Sequence, residues 1–179
     1  MMSMHKLAAG DGYAYLTRQV AAVFRDGQDP VTGEPLGRRY AGRASTVVGN
    51  DLTFTVPKSA SELWALGDDA TRATVHAAHH AAVAQTLAFI EQKVVRTRVG
   101  HAGCRQVRTQ GMIAAAFDHW DSRAGDPNLH THVALANRVQ GPDGRWRSLD
   151  GKTVYAAAVT VSELYDVLLA DDLASRATP

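Results

Sequence analysis

The stretch FDHWDSRAGDPNLHTHVALANRV, residues 117–139, decides the fold that this sequence predicts. Its middle part, SRAGDPN, is rich in the small and polar residues that form turns. The apolar patterns on either side predict strands over residues 112–117 and 130–139. Two strands joined by such a turn are expected to pair as an antiparallel hairpin.

Three histidines of this hairpin are placed to share one metal ion. His130 and His132 are separated by one residue, so in a strand both imidazoles project from the same face. His119 lies before the turn, and the hairpin would return it to the side of that pair. Three neutral nitrogens leave open positions on a cation, as a catalytic ion that polarises a phosphate oxygen requires. The alternative is a His-x-His pair on a polar sheet face that binds nothing, and the third histidine favours the metal site.

The rest of the chain mixes strand and helix patterns. Further strands are predicted over residues 2–7, 51–56 and 94–99. Helices are predicted over residues 13–24, after a cap at Ser59, over residues 69–90 and over residues 150–174. Residues 25–49 are dense in glycine, proline and charge and predict a loop. This order of strands and helices, together with the antiparallel hairpin, predicts the α+β class. We expect an antiparallel sheet flanked by helices.

Composition limits the classes of protein to which the chain can belong. The 179 residues are 45% hydrophobic and 21% charged, which fits one compact domain. Cys104 is the single cysteine, so the chain has neither an internal disulfide nor a thiolate metal site. We find no signal peptide and no apolar run of about 18 residues, so we predict a cytoplasmic chain without a membrane segment. A net charge of +1 neither requires nor excludes nucleic acid as a partner.

Four blocks of the sequence resemble a known family. They are GDGYAYLTRQVA, DLTFTVPKSASELWAL, the hairpin stretch quoted above, and GRWRSLDGKTVYAAAVTVSELYDVLLADDL. In this order they resemble the relaxase domain of MobF-class conjugative relaxases, the TrwC/TraI-like family of the HUH (histidine-hydrophobic-histidine) endonuclease superfamily. The resemblance implies an HUH palm, which is an antiparallel sheet flanked by helices. It also implies that His119, His130 and His132 bind a divalent ion, which could be magnesium, manganese or zinc.

The resemblance also implies a reaction. The chain would nick one DNA strand at a plasmid or mobile-element transfer origin and so initiate conjugative transfer. Tyr13 is the best match to the tyrosine that attacks the phosphodiester and stays joined to the 5′ phosphate, with Tyr15 as the alternative. Asp51 matches the acidic residue that orients a metal-site histidine or assists proton removal. Asp118 and Asp121 flank His119 and compete for the orienting role.

The implied partners are single-stranded DNA at the transfer origin, relaxosome accessory proteins and a coupling protein, with the chain itself a monomer. We predict DNA contacts from Lys58, Arg96, Arg98 and Trp120, although basic runs are more often solvated and a tryptophan is as often part of the core. The cluster His76, His79 and His80 is interpreted as a solvated or half-buried helix face and is assigned no ligand role.

Two departures from the family pattern are expected to matter. The segment 25–49 looks shortened and keeps only Tyr40, and the C-terminus looks truncated, so we expect residues 1–179 to form a single, shortened relaxase-like domain. One alternative is therefore a catalytically inert relic that binds single-stranded DNA. The other is an unrelated histidine-liganded metal enzyme, such as a hydrolase or an oxygenase with Asp118 or Asp121 as a ligand.

Overall fold

The structure is a computed structural model that describes residues 2–8, 18–38 and 46–177. The strands of this part are β1 (Met2–Ala8), β2 (Val47–Thr55), β3 (Arg96–Val99), β4 (Arg105–Arg108), β5 (Ala114–Asp121), β6 (Pro127–Ala136), β7 (Val139–Gln140) and β8 (Trp146–Arg147). The helices are α1 (Arg18–Ala21), α2 (Lys58–Leu66), α3 (Asp69–Phe89) and α4 (Gly151–Ala177). Turns of π-helix extend α1 over Ala22–Asp26 and α3 over Ile90–Val94, and a 3-10 turn spans His101–Gly103.

Four strands form the central antiparallel sheet, in the order β1-β2-β6-β5. Strands β5 and β6 are the predicted hairpin, and their turn is closed by a bond of 2.9 Å from the Ser122 N–H to the Asp126 carbonyl. The predicted boundaries are shifted, because β5 runs on to Asp121 and β6 already starts at Pro127. The ribbons β3-β4 and β7-β8 lie outside this sheet. The α+β architecture predicted from the sequence is confirmed.

One face of the sheet carries the hydrophobic core. Leu52 and Phe54 of β2 and Val133 and Leu135 of β6 are completely buried there. In each strand these residues alternate with residues that point to the opposite face, as a strand with one buried face requires. Helices α3 and α4 complete the core with Val75, Ala78, Ala82, Val161, Tyr165 and Leu169. The residues of β2 and β6 that alternate with this buried set, including His130 and His132, project from the opposite face of the sheet.

The segment 18–38 covers one end of that opposite face. Phe24 packs with Val48 and Ala136 in a second, smaller apolar cluster. Gly49 permits this approach, because a Cβ at that position would lie 2.6 Å from the Leu135 carbonyl oxygen and 2.9 Å from the Phe24 ring. The apolar cover therefore sits over the β2-β6 pairing, next to the polar part of the same face.

Several local predictions differ from the structure. β2 begins at Val47, inside the segment predicted as a loop. Ser59 does not cap α2, which begins at Lys58 after Pro57 and has no side-chain cap. Asp68 caps α3 instead, by accepting the Thr71 N–H at 2.8 Å. The sequence pattern also gave no sign that β3 pairs with β4.

Helix α4 is the longest helix in the described part of the chain. By length and composition alone, Gly151–Arg176 could cross a membrane. One side of this helix packs in the core, where Val161, Tyr165 and Leu169 are buried against the sheet and α3, whereas Val159 and Val167 are exposed. The side chain of Ser162 also accepts the Met2 N–H of β1 at 3.0 Å.

A chain of hydrogen bonds crosses the core between α4 and β5. The Tyr165 hydroxyl lies 2.8 Å from His79 Nδ1, and His79 Nε2 lies 2.7 Å from the Thr131 hydroxyl. That hydroxyl donates to Asp118 Oδ1 at 2.6 Å, so His79 Nε2–H must donate to Thr131 and Tyr165 must donate to His79. Burial, followed by the nearby His80, lowers the pKa of His79 to about 4 and keeps its imidazole neutral. The prediction of a solvated or half-buried face is wrong for His79, which is fully buried.

We expect Tyr165→Phe to lower the free energy of unfolding by about 1–3 kcal/mol, because His79 Nδ1 would then be a buried acceptor without a donor. The ring packing on Phe54, with centroids 5.3 Å apart, would remain. Urea denaturation of the two proteins measures the difference. The matched control is Tyr155→Phe on the same helix, where the side chain is 44% exposed and the change should stay within about 0.5 kcal/mol. Equal stability of the two variants would contradict the assigned bond.

Candidate metal centre

The hairpin brings three imidazoles together on the sheet face opposite the helices. His119 lies directly across from His130 in the β5-β6 register, and His132 follows on the same face of β6. The three ring centroids are 5.0 to 5.2 Å apart. One nitrogen from each ring lies within 4.8 Å of the other two. The predicted convergence of these histidines is therefore present in the fold.

Hydrogen bonds fix the orientation of the His130 and His132 rings. His130 Nδ1 lies 2.7 Å from the Asn128 carbonyl oxygen, so it must carry the proton and donate. His132 Nδ1 lies 2.7 Å from Asp51 Oδ2 and donates to that carboxylate. With both Nδ1 atoms acting as donors, the Nε2 lone pairs are left to bind a cation. Asp51 thus contacts one of the three histidines, and its orienting role stays a prediction.

The donor set fits a divalent metal ion. Burial and the neighbouring imidazoles of His132 and His130 lower the pKa of His119, which favours the neutral ring that a metal requires. The second oxygen of Asp51, Oδ1, is buried and has no hydrogen-bond partner in the described part of the chain. Three nitrogen ligands would leave coordination positions for a substrate oxygen, as in catalytic sites.

Comparison with known proteins assigns this arrangement to a family. The family model described as TrwC relaxase matches residues 3–178, which is nearly the whole chain. The chain belongs to the TrwC relaxase family. The resemblance to MobF-class relaxases that the sequence blocks indicated is confirmed.

Relatives of this TrwC-family chain include two much longer proteins. The multifunctional conjugation protein TraI of Escherichia coli is 36% identical over 137 residues, and TraI of strain K12 is 36% identical over 143 residues. The matched part covers 74% of this chain but only 8% of each relative. The chain therefore spans less than a tenth of the length of these relatives.

Solved structures of conjugative relaxase TrwC show the same fold. The copper-bound complex of TrwC with oriT DNA superposes with a TM-score of 0.79 at 27% identity, covering 99% of this chain and 71% of that one. TrwC bound to a 27-mer DNA with the recognition hairpin and the cleavage site gives a TM-score of 0.77 at 27% identity, covering 99% and 70%. The HUH palm implied by the resemblance is thus the fold found.

The DNA-contact residues predicted for this TrwC-family chain are scattered. Lys58 is exposed at the start of α2, and its ammonium donates to the Pro127 carbonyl at 3.1 Å, near the start of β6. Trp120 is 49% exposed but stacks on Trp64 of α2, on the helix side of the sheet and away from the three histidines. Arg96 and Arg98 lie on the ribbon β3-β4. The four residues therefore lie on three separate elements, namely α2, β5 and the strand β3.

Arg98 already has a partner within the protein. Its guanidinium lies 2.8 Å from Asp150 Oδ2, and Asp150 is 93% buried. The Arg96 guanidinium donates to the Val95 carbonyl at 2.7 Å. The remaining predicted site residues, Tyr13 and Tyr15, lie outside the described residues, as does Tyr40.

Two polar neighbours of the histidines were missed in the sequence. Asn128 supplies the carbonyl that fixes His130, and Thr53 places its hydroxyl 3.2 Å from His132 Nδ1. Strand alternation could have identified Thr53, which lies two residues after Asp51. The Asn128 contact is made by a backbone carbonyl, which no side-chain pattern indicates. Asp118, a competitor for the orienting role, faces the helices instead and bonds Thr131.

We expect the double variant His130→Ala, His132→Ala to bind one equivalent of divalent metal fewer than the unchanged chain, because two of three nitrogen ligands are lost. Titration calorimetry with Zn²⁺, accompanied by circular dichroism to check folding, measures this difference. The control is His101→Gln, an exposed histidine of the 3-10 turn that should leave the stoichiometry unchanged. An unaltered isotherm in the double variant would remove the triad as a site.

We expect Asp51→Asn to weaken metal binding at the triad about 10- to 100-fold, because an amide cannot stabilise the imidazole of His132 as a carboxylate does. Thermal unfolding should remain cooperative. Asp121→Asn is the matched control, an exposed carboxylate at the end of β5. If Asp121→Asn weakens binding and Asp51→Asn does not, Asp121 holds the orienting role and the assignment is wrong.

Proposed function

We propose that this chain nicks one strand of DNA at a transfer origin by transesterification and thereby initiates conjugative transfer. The observation that carries the proposal is the convergence of His119, His130 and His132, with two rings fixed by Asn128 and Asp51, in a chain of the TrwC relaxase family. The relatives solved with oriT DNA support DNA as the substrate.

The proposed reaction exchanges one phosphate ester for another. Tyr13 attacks phosphorus, the bond from phosphorus to the 3′ oxygen breaks, and a bond from phosphorus to the tyrosine oxygen forms. The phenol gives up its proton, and the freed 3′ oxygen takes up a proton. The protein is then joined to the 5′ phosphate, and attack by a 3′ hydroxyl reverses the step without a cofactor that stores energy.

A divalent cation bound at the triad would neutralise charge on the non-bridging oxygens of the phosphate. The residues of the chain supply the remaining requirements. His130 and His132 are held with Nδ1 protonated and Nε2 directed to the site. Asp51 holds His132 through Oδ2, and its Oδ1, which has no hydrogen-bond partner among the described residues, is our candidate acceptor for the phenol proton.

The same proposal includes the DNA contacts and the partners of the chain. Lys58 is exposed near the start of β6 and is the predicted residue that we retain as a phosphate contact. Arg98 is a weaker choice because it is paired with Asp150. We also propose that the chain acts as a monomer in the cytoplasm, together with accessory proteins of the relaxosome and a coupling protein.

The experiment incubates the chain and Mn²⁺ with single-stranded oligonucleotides tiled across the DNA that surrounds its gene. A covalent adduct on a denaturing gel is the expected product. An oligonucleotide labelled at its 3′ end should migrate with the protein, whereas a 5′ label should be released on the other fragment. Binding without an adduct would favour the inert DNA-binding relic, and metal-dependent turnover of small molecules alone would favour an unrelated metal enzyme.

We expect Tyr13→Phe to abolish the adduct, because the substitution removes the hydroxyl that accepts the phosphoryl group and little else. Metal binding and thermal stability should be retained. Tyr15→Phe is the matched control and should keep most of the adduct. Mapping of peptides by mass spectrometry identifies the attached residue. A full yield of adduct from Tyr13→Phe, or nucleotide mass on a peptide without Tyr13, would show that another residue attacks.

A further inference from the structure

A second cluster of metal-ligand atoms lies on the helix side of the sheet. It consists of His76 and His80 of α3 and Asp118 of β5, and one ligand atom from each lies within 4.8 Å of the other two. Asp118 is followed by His119, and successive residues of a strand point to opposite faces. The cluster is therefore separated from the triad by the sheet and shares no ligand with it.

Helix geometry places both imidazoles over the same carboxylate. His76 and His80 are four residues apart, so they lie on one side of α3 on successive turns. Their ring centroids are 4.2 Å apart. His80 Nε2 lies 2.9 Å and His76 Nε2 lies 4.0 Å from the same Asp118 oxygen, Oδ2. Ligands bound at about 2.0–2.1 Å in a tetrahedral site are about 3.3 Å apart, between the two distances found.

The carboxylate is held in place from behind by buried groups. Asp118 Oδ1 accepts the Thr131 hydroxyl at 2.6 Å, and Thr131 is fixed by His79 Nε2 at 2.7 Å. Both Thr131 and His79 are buried in the core. These bonds leave Oδ2 directed at the two histidines of α3. A carboxylate that binds a metal through one oxygen usually has its other oxygen bonded in this way.

Solvent can reach the open side of the cluster. The side chains of His76, His80 and Asp118 are 39%, 46% and 23% exposed. Trp120 borders the cluster, with its ring centroid 6.4 Å from that of His76. An ion from solution could thus bind without opening the core and could keep water as its remaining ligand.

We propose that His76, His80 and Asp118 form a second binding site for a divalent late transition-metal ion, of which Zn²⁺ is the test probe. Two imidazoles and one carboxylate suit zinc, copper or nickel better than magnesium or calcium, which prefer oxygen ligands. The ion would connect α3 to β5, a strand at the edge of the sheet that is paired on one side by β6. Its effect would be to stabilise the attachment of that edge strand.

The experiment counts Zn²⁺ bound by the untagged chain, using titration calorimetry and metal analysis after gel filtration. The variant is His76→Gln, His80→Gln, in which both partly exposed imidazoles are replaced by neutral amides that keep hydrogen-bonding ability. The matched control is His101→Gln, an exposed histidine of the 3-10 turn. Far-ultraviolet circular dichroism verifies that each protein is folded.

We expect two zinc ions per unchanged chain and per His101→Gln chain, and one per His76→Gln, His80→Gln chain. Asp118→Asn should weaken zinc binding at the second site, because a neutral amide would replace the one anionic ligand. With Cu²⁺ as the probe, the electron paramagnetic resonance signal of a site with two nitrogen ligands should disappear in the histidine variant, while the signal of the triad remains. Two zinc ions in the histidine variant, or a single zinc ion in the unchanged chain that the histidine variant retains, would overturn the proposal.

Discussion

The structure depends on the register of the pairing between β5 and β6. His119 lies directly across from His130, and this one alignment places three imidazoles on one face and Asp118 and Thr131 on the other. A shift by one residue would send every side chain of β5 to the opposite face. His119 would then enter the hydrophobic core, and Asp118 would leave its buried partner Thr131. The residues on both faces of the sheet therefore disfavour a change of register between β5 and β6.

Strand β6 satisfies two different demands with alternate residues. His130 and His132 need polar surroundings and access to an ion, whereas Leu129, Val133 and Leu135 need the interior. Thr131 is the exception, a buried polar residue between the two histidines. Its hydroxyl both donates and accepts, so it carries no unsatisfied group into the core. The same bonds restrain the backbone that holds the two metal-site rings.

The sequence was sufficient where the deciding pattern is local. Turn residues and alternation predicted the hairpin and the meeting of its histidines, and the family blocks predicted the palm. The burial of His79 was not predictable in this way, because its partners Thr131 and Tyr165 are 52 and 86 residues away in the chain. A histidine on an alanine-rich helix does not show which neighbour it will meet. Likewise, Ser59 has the chemistry of a cap, but α2 already begins at Lys58, directly after Pro57.

The two clusters of ligand atoms differ in what holds them together. The triad is built from two hydrogen-bonded strands, so its spacing follows from the ladder and from Asn128 and Asp51. The second cluster joins a helix to a strand, and its spacing changes whenever α3 moves against β5. The Tyr165–His79–Thr131–Asp118 chain limits that movement, because it ties α4, α3 and both strands of the hairpin through bonds of 2.6–2.8 Å. The hydrogen bonds that satisfy the buried polar groups of the core therefore also hold α3 and α4 in position over β5, the strand that carries His119.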